Sequence, residues 1–132
     1  MIPAPQKNKC WKGLTPSSTA YEVARFFIQQ QKPLLIVLPT SQSAEVFIED
    51  LKFFLGNKTP LHFFPNLDVL PYFQLSPHPE ILTTRLSTLY EMSTARKPFI
   101  VISSYTALAR RLPPKSIFNT YADYVVSKEE ID

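Results

Sequence analysis

Glycine is nearly missing from this chain: 2 among 132 residues, where average usage gives roughly 9. A GxGxxG dinucleotide fingerprint needs three glycines within six positions, and a GxxxxGK[ST] phosphate loop needs two of them five apart. Gly13 and Gly56 supply neither motif. Cysteine occurs once, as Cys10, which excludes an intramolecular disulfide and fits a reducing compartment. No apolar run approaches the roughly 20 residues that span a bilayer; the longest are Leu34–Leu38 and Phe99–Ile102. The first nine residues lack the apolar core of a secretory signal, so a cytoplasmic protein is expected. Charge is also scarce, at 19% of residues, below the quarter typical of soluble domains. The net excess of +3 is spread over short groups, with no run of the five or six basic residues that mark a nucleic-acid-binding tail.

What is present is apolar and patterned. At 45% hydrophobic and 13% aromatic the chain is too apolar for disorder, and its length suffices for one core without a metal or disulfide staple. Ala20, Val23, Ala24, Phe27 and Ile28 recur at helical spacing, which predicts an amphipathic helix from about Ser17 to Gln31. Pro33 stops it, and the unbroken Leu34–Leu38 run reads as a strand buried on both faces of a parallel sheet. Pro39-Thr40-Ser41 offers hydroxyl caps to a second helix, lined by Ala44, Phe47, Ile48, Leu51, Phe54 and Leu55 and ended by a left-handed stop at Gly56-Asn57. A strand at Leu61–Phe64, a helix carrying Leu82, Leu86, Leu89 and Tyr90, a strand at Phe99–Ile102 and a short helix from Tyr105 to Arg111 continue the alternation. Such alternation predicts right-handed βαβ crossovers in a three-layer α/β domain with a mainly parallel sheet. Asp123–Val126 reads as a further strand, and Glu129 and Glu130 read as the first turn of an uncompleted helix. A fragment of a longer protein is expected.

Several segments offer chemistry, each against a structural alternative. Gly13-Leu-Thr-Pro-Ser-Ser-Thr-Ala20 precedes the first helix, where a phosphate loop would lie. Aligning Gly13 as the loop's first glycine puts Ser18, Thr19 and Ala20 where Gly, Lys and Ser or Thr are required. Pro16 also removes a donor N–H. The segment therefore reads as a hydroxyl-rich helix cap on a degenerate loop, with Gly13, Ser18 and Thr19 its remnants. His62 and His78 have no ligand partner at i+3 or i+4 and Cys10 is remote, so no metal site is expected. No GxSxG elbow presents a nucleophile, and no catalytic residue is assigned. The proline-rich stretch Asn66–Pro79 has two readings. Either Tyr72, Phe73 and His78 join Arg85 in an interaction surface that stacks on bases or on a partner, or Leu67, Leu70, Tyr72 and Leu75 seal the core.

The segment LPYFQLSPHPEILTTRLSTLY, Leu70 to Tyr90, followed by a buried strand and then Ala107-Leu-Ala-Arg-Arg-Leu-Pro-Pro114, resembles the N-terminal region of the bacterial transcription-repair coupling factor family. The Gly13-Leu-Thr opening and the Lys32-Pro-Leu-Leu-Ile-Val strand resemble that family too, so the likeness covers about residues 13 to 126. The family carries Trp and Glu near Leu67 and Asp68, and Asp near Phe73, where this chain departs from it. The resemblance implies a UvrB-like module, similar to the damage-binding component of the nucleotide-excision nuclease: a P-loop-helicase-like α/β domain, degenerate and incomplete, that has lost its phosphate loop. It implies a parent protein that is an ATP- and magnesium-dependent double-stranded DNA translocase, displacing stalled RNA polymerase and recruiting the excision machinery through the excinuclease component UvrA.

On this reading residues 1–12 form a tail, residues 13–115 the helicase-like domain, and residues 116–132 the start of a second subdomain that would carry most of the UvrA-recruiting surface. The expected role is a non-catalytic scaffold without a cofactor of its own. The alternative is a nucleic-acid-binding module using Arg85, Arg110 and Arg111. Self-association through an exposed sheet edge is expected if the sheet is incomplete.

Overall fold

The computed structural model describes residues 10–67, 76–112, 114 and 116. Helix α1, Pro16–Gln30, starts where Thr15 and Ser18 form a capping box and Pro16 presets the first turn. It ends at Gln31, whose left-handed backbone (φ 49, ψ 44) closes the last turn by donating its amide to the Phe27 carbonyl. Strand β1, Leu34–Leu38, leads to helix α2, Ser41–Leu55. A second capping box, Thr40 with Ser43, opens α2, and Gly56 closes it. Gly56 has a positive φ of 66 as expected, but its ψ of −175 places it in the extended region open essentially to glycine alone, not in the left-handed helical one.

Strand β2, Leu61–Phe64, helix α3, Pro79–Thr94, strand β3, Ile100–Ser104, and the short helix α4, Tyr105–Leu108, complete the order. The three strands are all parallel in the order β1-β3-β2. The fold is the expected α/β type with helices on both faces. No helix among the described residues is long and apolar enough to cross a membrane.

Alternation along the strands divides the core. Leu34, Ile36 and Leu38 of β1 join Ile100, Ile102, Leu61 and Phe63 on one face, under Ala20, Ala24 and Phe27 of α1 and Ala44, Phe47, Ile48 and Leu51 of α2. On the other face Phe64 and Val101 pack with Ala107 and, more peripherally, Leu89, Phe99 and Leu108. Two expectations change here. The strand buried on both faces is β3, every residue of which is buried, because it lies between the other two. By contrast β1 is an edge strand whose second face carries Leu35 and Val37 at 51% and 48% exposure. The second change concerns α3, where only part of the expected apolar set faces the core: Leu82 and Leu86 are exposed, Leu89 packs inward, and Arg85 and Thr88 are buried. Ile81, Arg85, Thr88 and Leu89 line the inward side at helical spacing. Helix packing over β2 selected that side because its polar groups find carbonyls at the sheet: Thr88 Oγ1 donates to the Phe63 carbonyl (3.2 Å), and Arg85 Nη1 donates to that of Pro65 (2.5 Å).

Candidate functional site

The degenerate loop lies at the start of α1, beside the start of α2. The Thr15, Ser18 and Thr19 hydroxyls are committed to the loop's own backbone. Thr15 N–H donates to Ser18 Oγ (2.7 Å) and Ser18 N–H to Thr15 Oγ1 (3.3 Å), while Thr19 Oγ1 donates to the Thr15 carbonyl (2.8 Å). The Thr19 amide is also taken, by the same carbonyl (2.9 Å). Ser17 Oγ donates to Asp50 Oδ2 (3.0 Å), which puts a carboxylate of α2 against the loop. The adjoining cavity, about 530 Å³, is walled by Leu14, Pro16, Leu38, Val46 and Phe47, and Asp50 supplies its charge. A phosphate needs free N–H donors and a cation, whereas the lining of this cavity carries a carboxylate and no basic side chain. Gly13 keeps a positive φ of 75 and serves as the turn into the cap.

At the carboxyl end of the sheet, where α/β sheets hold their ligands, a chain of hydroxyls joins the elements. Ser41 Oγ donates to Ser104 Oγ (3.4 Å), Ser104 and Thr106 share a bond (3.0 Å), and Ser103 Oγ donates to the Phe64 carbonyl (2.8 Å). Ser104 also caps α4 through the Ala107 amide (3.4 Å). Sequence reasoning missed these residues, because a Ser-Ser pair ending an apolar strand gives no signal of its own. His62 is held by Glu91, Nδ1 to Oε2 at 2.7 Å, and stands edge-on to Phe99. Among the described residues no cluster of His, Cys, Asp and Glu is arranged to hold a metal ion. Cys10 is exposed and free.

The proposed interaction surface is only partly assembled. Tyr72 and Phe73 lie outside the described residues. His78 is exposed at the N-cap of α3, two turns before Arg85 and so about 10 Å from it along the helix. Arg111 is exposed and Arg110 half-buried. Arg85 is not a surface residue: it is 6% exposed, with its guanidinium carbon 4.0 Å from the centre of the Phe64 ring. Burial, and then the nearby charge of Arg110, push its pKa below the usual arginine value.

No family model matches the chain. It is 29% identical to the transcription-repair-coupling factor of Haemophilus influenzae over 84% of its length and 10% of that protein. It is 27% identical to that of Myxococcus xanthus over 92% of the chain and 10% of the relative, and 28% identical to that of Escherichia coli over 83% and 9%. The chain is a relative of the transcription-repair-coupling factors. It spans about a tenth of the length of these coupling factors. The matched portion includes most of the α/β frame, so the coupling-factor likeness and the parallel sheet describe the same stretch of chain.

Proposed function

We propose that this chain is a non-catalytic scaffold module of a transcription-repair-coupling factor. The observation that carries the reading is the occupied loop at the start of α1: the Thr15, Ser18 and Thr19 hydroxyls and the Thr19 amide are committed to capping, and Asp50, bonded to Ser17, stands where a phosphate would need a cation. Within the parent protein the module would hold the recruiting subdomain that begins near residue 116, while a motor elsewhere hydrolyses ATP with magnesium and moves on double-stranded DNA. Displacement of stalled RNA polymerase and recruitment of the excinuclease through UvrA, in the cytoplasm, belong to that whole protein. The module itself has no catalytic residue and takes no cofactor. Isothermal titration of the 132-residue chain with ATP and Mg²⁺ is expected to give no binding heat, and a micromolar dissociation constant would overturn the scaffold reading.

The competing nucleic-acid reading loses Arg85 to burial and is left with Arg110 and Arg111, two neighbouring side chains.

A further inference from the structure

The cavity between the starts of α1 and α2 holds about 530 Å³, a volume within the range of small-ligand sites, which combine mostly apolar walls with a few polar groups that fix orientation. Leu14, Leu38, Val46 and the buried Phe47 form its apolar part, and half-buried Asp50 is the one charged residue of its lining. The lining hydroxyls have already spent their hydrogens on the helix caps. Thr19 Oγ1 donates to the Thr15 carbonyl, Thr40 Oγ1 to Ser43 Oγ (3.0 Å), and Ser43 Oγ to the Thr40 carbonyl (2.8 Å). What these side chains still offer the recess is lone pairs. Apart from the Gln42 amide, the side-chain lining therefore accepts hydrogen bonds and carries a negative charge, which calls for a cationic donor.

The carboxylate also selects the kind of cation. Asp50 Oδ2 accepts the Ser17 hydroxyl (3.0 Å), so a guanidinium fork would compete with Ser17 for that oxygen, whereas an ammonium needs one oxygen only. The capped start of α1 opposes a cation with about half an elementary charge, which the full charge of the carboxylate outweighs. We propose that this recess binds a small organic ammonium with a compact apolar body, its nitrogen on Asp50 and its body against Phe47 and Val46. The slim stem of a lysine side chain would leave most of the volume unfilled, so the occupant is a free amine carrying a ring or a branched chain. The inference builds on the reading that this loop refuses phosphate, and the two fail separately: heat from ATP would sink the scaffold reading, and the titrations below decide the ligand.

The test follows the Leu14 and Leu38 methyl signals of the ¹³C-labelled 132-residue chain. Phenylethylammonium, the uncharged phenylethanol, the anionic phenylpropionate or acetyl-lysine amide is added at matched ionic strength. The ammonium is expected to shift both signals saturably and to bind about tenfold more tightly than the alcohol, with no saturable shift from the anion. Asp50→Asn keeps an acceptor for Ser17 and should weaken the ammonium about tenfold, the worth of one charged hydrogen bond. Val46→Lys, at a site 57% exposed and one helical turn before Asp50, supplies a competing cation and should abolish the saturable shift at an unchanged melting temperature. Equal affinity for ammonium and alcohol, or a saturable response to the anion, would overturn the proposal. So would an unchanged ammonium affinity in Asp50→Asn, which would leave Asp50 as a counter-charge to the start of α1. Acetyl-lysine amide binding as tightly as the free amine would overturn it in favour of a protein segment.

Discussion

Single residues set several features that their type alone would not announce. Gln31 takes a left-handed backbone that costs an L-residue roughly 1–2 kcal/mol. It does so because the chain must leave α1 and reach Pro33 within two residues. Gln31→Gly should therefore raise stability by about 0.5–1 kcal/mol, with an increased urea midpoint and an unchanged slope. Sequence reasoning placed the expected left-handed stop at Gly56, the right residue type, but the type does not fix ψ. Arg85 and Thr88 teach a related point. Polar side chains inside a helix read as solvent-facing, yet the two meet free carbonyls at Phe63 and Pro65 on the end of β2. A stripe of leucines cannot satisfy those acceptors, so the helix turns Leu82 and Leu86 outward.

At the scale of elements, the hydroxyl caps and the apolar runs were legible in the sequence, while the reciprocal pairing of Thr15 with Ser18 and of Thr40 with Ser43 was not. Thr15 and Thr40 start their helices where hydroxyls precede periodic residues, and the α2 stripe of Ala44, Phe47, Ile48 and Leu51 is buried as the spacing required. That stripe gives a sharp contrast within one helix. Leu51 is fully buried and Phe53 is 82% exposed. Leu51→Ala should cost roughly 2–5 kcal/mol. Phe53→Ala should cost less than about 1 kcal/mol, the loss of an edge-on ring contact with Phe54. Thermal or urea unfolding of both variants checks the pair, and comparable losses would mean that α2 is packed differently. Which strand is central was not legible, because Leu34–Leu38 and Ile100–Ile102 are equally apolar. Strand order, decided by the crossover of α2 past β3, separates them.

For the molecule as a whole, the consequence of that order is that β1 lies at an edge of the sheet formed by the described strands. On the far side from β3, β1 pairs with no other described strand. Its five residues carry no charge, and Leu35 and Val37 are half exposed. Charges, prolines within the strand or a covering helix normally blunt such an edge, and here prolines stand only outside it, at Pro33 and Pro39. The 132-residue chain is expected to self-associate through β1, with a mass by light scattering that rises with concentration. Leu35→Lys combined with Val37→Lys should return it to monomer with little loss of stability, since both sites are already half in water. A wild-type monomer at all concentrations would contradict the expectation.

By itself the sequence determined the class: too little glycine for a nucleotide-binding loop, apolar runs of strand length alternating with helical stripes, and a specific block from Leu70 to Tyr90 that points to the coupling factors. These are local properties, set by backbone geometry and side-chain chemistry over a few residues. Only the tertiary structure decided that β3 is central and β1 at the edge among the described strands, that Asp50 comes to Ser17 across 33 positions, and that Arg85 sinks onto Phe64. Such pairings depend on which surfaces the crossovers bring together, and no spacing within a single element encodes them.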